Sequence, residues 1–100
     1  MADLAAQHKE EIAALCRKHG VLSLALFGSA ARGELKPESD VDLLIQFKPD
    51  ARVGVFELQD IRSEFETIFG RPVDLAGAAI LRNPYRRQAI MRDLRPIYAA

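Results

Sequence analysis

One hundred residues suit one compact unit with one site, and residues 1–100 are expected to form a single domain. With 49% apolar and 28% charged residues the composition is globular, not disordered or fibrous, and 14 basic groups cancel 14 acidic ones, so bulk charge singles out no partner. No apolar run approaches the roughly 18 residues of a membrane span, and the lone Cys16 has no mate for an internal disulfide, which together point to a cytoplasmic protein without membrane contact.

The elements read α, β, α, β, α along the chain. From Asp3 to His19 the apolar Leu4, Ile12, Leu15 and Cys16 recur near helical spacing, with Asp3 as a cap and Gly20 as a left-handed stop. Val21 to Phe27 (VLSLALF) is apolar at both alternating positions and too short for a helix, which predicts a central strand covered on both sides. Gly28 ends it, and a polar connection over Ser29 to Ser39 leads to a second strand from Val41 to Phe47 (VDLLIQF). Lys48 to Arg52 reads as a turn; then Val55, Leu58, Ile61, Phe65, Ile68 and Phe69 mark one face of a helix closed by Gly70. Phe56, Phe65 and Phe69 are expected in the core. A short third strand follows from Val73 to Ala76, and a helix between two strands is the usual crossover joining parallel neighbours. Asn83 and Pro84 form an N-cap and first-turn pair opening a last helix to about Arg92, and Pro96 leaves Ile97 and Tyr98 as an edge strand or exposed docking tail.

The chemistry concentrates between Phe27 and Ile45. Asp40 and Asp42 are two apart at the start of a strand, so both carboxylates point to one face, about 6 to 7 Å apart. Like charges so placed repel, and a hard divalent cation such as Mg²⁺ resolves the conflict. The parallel crossover puts Asp74 level with the pair, giving three carboxylates able to hold two metal ions for an in-line displacement at phosphorus. Gly28 lets the backbone approach a ligand closely, and the amides and hydroxyl at Ser29 can donate to phosphate oxygens. Arg32 and Gly33 extend this turn. No Gly-Lys-Ser/Thr closes it, which argues against a P-loop kinase, and the glycine spacing of dinucleotide folds is absent.

Gly28-Ser29, ten residues, then Asp40-x-Asp42, with a later strand carboxylate, resembles the DNA polymerase beta-like nucleotidyltransferases. The string GSAARGELKPESDVDLLI and the ending, in which Asp74-Leu75 precedes a basic helix and Pro96-Ile97-Tyr98, resemble the minimal nucleotidyltransferases of HEPN-paired toxin–antitoxin systems. The resemblance implies an α/β fold, a small mixed sheet with flanking helices. It implies a nucleotidyltransferase that moves AMP from ATP onto a tyrosine of a HEPN ribonuclease toxin, and so acts as its antitoxin. On this likeness Asp40, Asp42 and Asp74 bind two Mg²⁺ ions, with Asp74 helping to activate the acceptor, and Gly28 and Ser29 hold the β and γ phosphates. Arg32 anchors the loop or contacts phosphate, and Ser39 caps. A hetero-oligomer with the partner is implied, since larger relatives carry a further domain for the acceptor or base.

Two other functions compete. A binding-only antitoxin would keep the fold and the carboxylates but transfer nothing, and transfer to a small molecule would need an acceptor pocket larger than this chain offers. Arg82, Arg86, Arg87, Arg92 and Arg95 face only Asp93 near the end, but without interleaved aromatics on a recognised module they do not predict independent nucleic-acid binding. Tyr85 and Tyr98 can stack a base or simply pack. Cys16 and His19 stand three apart on the first helix with no further ligand nearby, which is too little for a metal site.

Overall fold

The computed structural model describes residues 4–34, 36 and 38–100. Its elements are α1 (Leu4–Gln7), α2 (Lys9–Lys18), β1 (Val21–Phe27), α3 (Gly28–Arg32), β2 (Val41–Phe47), α4 (Val55–Phe69), β3 (Val73–Gly77), a 3₁₀ turn (Ala78–Arg82), α5 (Pro84–Asp93) and β4 (Arg95–Ala99). The strands form one mixed sheet in the order β3-β2-β1-β4, in which β1 is antiparallel to both β2 and β4 while β2 and β3 run parallel. The α/β class, the three main strands and the parallel crossover through α4 are those the sequence pattern predicts. Among the described residues no helix is long and apolar enough to cross a membrane.

Strand alternation divides the sheet into two faces with different tasks. One carries Val21, Leu24, Leu26, Val41, Leu43, Ile45 and Val73, and α2 (Ile12, Leu15, Cys16) and α4 (Ile61, Phe65, Phe69) close over it. Phe65 and Phe69 lie ring on ring, with centroids 6.2 Å apart. The other face is sparser: Phe27, Leu44 and Ile90 of α5 form a small cluster, with Ala76, Ile80, Leu81 and Leu94 packed around it. Asp42 lies two residues from Leu44, so its side chain belongs to this second face, the one that α5 only partly covers.

Three expectations need correction. The first helix is two, because the backbone leaves helical geometry at His8 (φ −120°, ψ 25°), whose ring sits edge-on to Phe69 at 6.3 Å and whose Nδ1 meets Glu11 at 3.1 Å. The Asp3 cap and the side chain of Leu4 lie outside the described residues. Phe56 is 87% exposed and Val55 is 73% exposed, because at about 100° per residue they fall about 140° and 120° around α4 from Ile61. The connection from Ser29 to Ser39 is not wholly loop, since α3 occupies its first turn; Leu35 and Pro37 within it lie outside the described residues. Of the two alternatives for Ile97 and Tyr98 the edge strand is the one formed: β4 pairs with β1 at the border of the sheet (Leu24↔Tyr98), and both side chains are half-buried against the main core.

Candidate active site

The site lies where β1 ends and β2 begins. Antiparallel pairing sets Phe27 directly opposite Asp42, and the chain then turns sharply at Gly28 into α3. Gly28 has φ +67°, a left-handed conformation that side chains rarely adopt, and a Cβ there would come within 2.6 Å of Asp42 Oδ2. Backbone and carboxylate therefore meet at a point with no room for a side chain. In parallel register, Asp42 pairs with Asp74 of β3, and in-register neighbours project to the same face. Asp40, two residues before Asp42, completes the acidic group and is exposed, as is Asp74, whereas Asp42 is half-buried.

Burial, and after it the charges of Asp74 and Asp40, raise the pKa of Asp42 above the ordinary carboxylate range, while Arg86 pulls the other way. The three acids thus share one electrostatic environment. Their side chains do not close around a point, and among the described residues no group of three or more His, Cys, Asp and Glu is gathered closely enough to hold a metal ion. Of the expected metal trio, strand register aligns Asp42 with Asp74, and Asp40 lies just before β2.

Gly28 and Asp42 share a cleft of about 370 Å³ with Phe27, Arg32, Tyr85, Arg86 and Arg92 among its walls. Ser29 is half-buried in the first turn of α3, and its carbonyl accepts from the Glu34 amide at 2.9 Å, tying the turn to the following loop. Arg32 is held by two carboxylates: its Nε donates to Glu34 Oε1, and its Nη1 donates to Asp93 Oδ2 at 2.9 Å. Of the two roles expected for Arg32, the geometry supports anchorage, joining α3 to the end of α5. Ser39 caps a local turn and not a helix: its Oγ accepts from the Lys36 amide at 3.1 Å and its own amide donates to Lys36 O at 2.9 Å. Arg71 Nη1 pins the same turn through the carbonyls of Lys36 and Ser39.

Sequence reasoning treated the arginines of α5 as one basic stretch and missed that Arg86 faces Asp42. Covering the second sheet face with α5 through Ile90 fixes which arginine reaches the acids, and the 3.6-residue period from Ile90 back to Arg86 was the available signal. Cys16 and His19 form no pair of ligands. The Cys16 thiol is buried, which pushes its pKa up to about 12, and His19 Nε2 meets Glu64 Oε2 at 2.7 Å.

Residues 9–97 match the family described as Nucleotidyltransferase domain. A Methanocaldococcus jannaschii protein provisionally named a protein adenylyltransferase is 39% identical over 77 residues, which span 77% of either chain. The protein adenylyltransferase MntA of Thermococcus cleftensis is 33% identical over 76 residues, 76% of this chain and 72% of that one. Among solved structures, a minimal nucleotidyltransferase, itself provisionally so named, superposes with a TM-score of 0.72 at 29% identity, covering 97% of this chain and 96% of the other. A chain from the complex of tri-AMPylated Shewanella oneidensis HEPN toxin with MNT antitoxin shares the fold, with a TM-score of 0.64 at 15% identity over 96% of this chain and 73% of that one.

Proposed function

This chain belongs to the nucleotidyltransferase domain family, and from that premise we propose that it transfers AMP from ATP to a tyrosine hydroxyl of a HEPN-type toxin, and thereby acts as the antitoxin of that partner. The observation that carries the reading is the meeting of Gly28 with Asp42 beside Asp74: a strand end that brings bare backbone against an acidic group, where a triphosphate and a hydroxyl could be handled together. The names of the relatives support protein as the acceptor class, and the modified HEPN toxin in the complex supports the partner.

Each residue has a task in the reaction. The amides and hydroxyl at Ser29 donate to the β and γ phosphates, and glycine at 28 permits the close approach. Arg32, through Glu34 and Asp93, holds α3 at the right distance from α5, and Ser39 keeps the preceding loop folded onto the start of β2. The donor set is three carboxylates, one with raised proton affinity, which fits a hard divalent cation: Asp40, Asp42 and Asp74 would hold two Mg²⁺ ions, which when bound supply charge neutralisation and acidify the acceptor hydroxyl. The acceptor oxygen forms a bond to the α phosphorus as the bond from that phosphorus to the β-bridging oxygen breaks, so pyrophosphate leaves. Asp74 is the carboxylate assigned to help take the hydroxyl proton.

Incubating the protein with α-labelled ATP, Mg²⁺ and a HEPN partner should label the partner. The Asp40→Ala, Asp42→Ala double variant should lose at least about a thousandfold in rate while still folding, in line with removal of the groups that stabilise transition-state charge. Equal labelling by the double variant would overturn the catalytic reading. A stable complex without any transfer by the wild type would assign the protein to the binding-only class.

A further inference from the structure

The cleft above Asp42 has a second wall that the motif does not contain. Tyr85, Arg86, Ala89, Ile90, Arg92 and Asp93 all come from α5, and they face Phe27, Gly28 and Asp42 across the opening. This wall is held firmly. Ile90 is buried against Phe27 and Leu44 below, the Arg32–Asp93 ion pair ties the end of α5 to α3, and Asn83 Oδ1 caps its start by accepting from the amides of Tyr85 and Arg86 at 3.0 and 3.2 Å. Those two amides are thereby occupied, so what α5 offers the cleft is side chains. Two of them are solvent-facing: Tyr85 is 84% exposed, and Arg86 is exposed on the same rim. A planar aromatic and a guanidinium beside an acidic, glycine-lined turn form a pair of contacts suited to a base and a phosphate respectively.

Resting on the nucleotidyltransferase reading, we propose that α5 is the nucleotide-gripping wall of the site, with Arg86 bonding the triphosphate and Tyr85 stacking on the base. The neighbouring Arg87 provides the contrast, since it opens onto a different cleft, lined by Leu81, Arg82, Pro84, Gln88 and Met91. Every base has a π face, so a stacking platform grips nucleoside triphosphates as a class, and Tyr85 by itself does not select adenine.

Titration calorimetry on the full chain with Mg²⁺ tests this without turnover, using a non-hydrolysable ATP analogue, its GTP counterpart and inorganic tripolyphosphate. Arg86→Ala should weaken all three ligands by about tenfold or more, as expected for loss of a charge-assisted contact. Tyr85→Ala should weaken both nucleotides by roughly fivefold or more and leave tripolyphosphate unchanged, and Tyr85→Phe should bind as the wild type. Arg87→Ala should stay within about twofold throughout, since its side chain faces the other cleft. If the wild type binds the nucleotides but the Arg86 and Tyr85 variants match it, the gripping wall is refuted and the nucleotidyltransferase reading survives. Should the wild type bind no nucleotide at all, both fall.

Discussion

The two faces of the sheet are built for opposite ends. Among the described residues, the face under α2 and α4 buries fifteen side chains in one cluster, including Phe65, Ile61 and Ile12 at 1% exposure or less, and it holds no ionised group. The face under α5 gathers only Phe27, Leu44 and Ile90 into its cluster, and it also carries Asp42 and the open cleft. Hydrocarbon burial at about 25 cal/mol per Å² makes the first face the source of stability. The second concentrates like charge on a half-covered strand, an arrangement that costs stability and is worth having only for what it binds. One sheet thus carries a side that holds the fold together and a side that strains it.

Substitutions on the two faces should therefore move stability in opposite directions. The largest effect belongs to Phe65→Ala, which removes a fully buried ring from the centre of the α2–α4 face: it should cost about 3–5 kcal/mol, enough to lower the melting temperature by on the order of 15 °C, readable by circular dichroism. Asp42→Asn should do the reverse and raise the melting temperature at pH 7 while abolishing transfer. The sign follows from the raised pKa of Asp42. The folded state resists ionisation there, so the penalty is full above the folded pKa and vanishes as pH falls to the ordinary aspartate range, where the two proteins should melt together. A gap that widens on acidification would contradict the electrostatic account. The smallest effect is expected at Glu64, on the outer surface of α4, where bonds from Lys18 at 2.9 Å and His19 at 2.7 Å lower its pKa. Its contribution is present above the ordinary glutamate pKa and lost as pH falls through the depressed one; being exposed, the pair limits Glu64→Gln to no more than about 1 kcal/mol in urea denaturation at pH 7.

The stabilising face and the acidic strand were legible in the chain for different reasons. Strands β1 and β2 declare themselves by continuous apolar runs, and the acids by their spacing, since i and i+2 on a strand share a face wherever that strand lies. Asp74 needed one more step, the reading of α4 as a crossover between parallel neighbours, which sets it level with Asp42. Phe56 misled because an aromatic residue near a helix start satisfies a composition rule while violating the helical phase set by Ile61, Phe65 and Phe69. Helical phase from Ile90 marks Arg86 and the motif marks Arg32, but what the two side chains meet is not written locally. Their partners are decided by where α5 docks across the sheet: Asp93 is 61 positions from Arg32, and no local pattern encodes that pairing.

The contact between position 28 and Asp42 makes the turn into α3 the least negotiable point of the scaffold for any redesign. Even alanine there would face two independent objections, a twisted backbone that disfavours it and an oxygen already occupying the space its methyl would claim. Shortening the acid would lift only the second. An engineer wishing to graft another reaction onto this sheet could rewrite most of the cleft lining, yet would have to begin from the same empty spot beside the same strand.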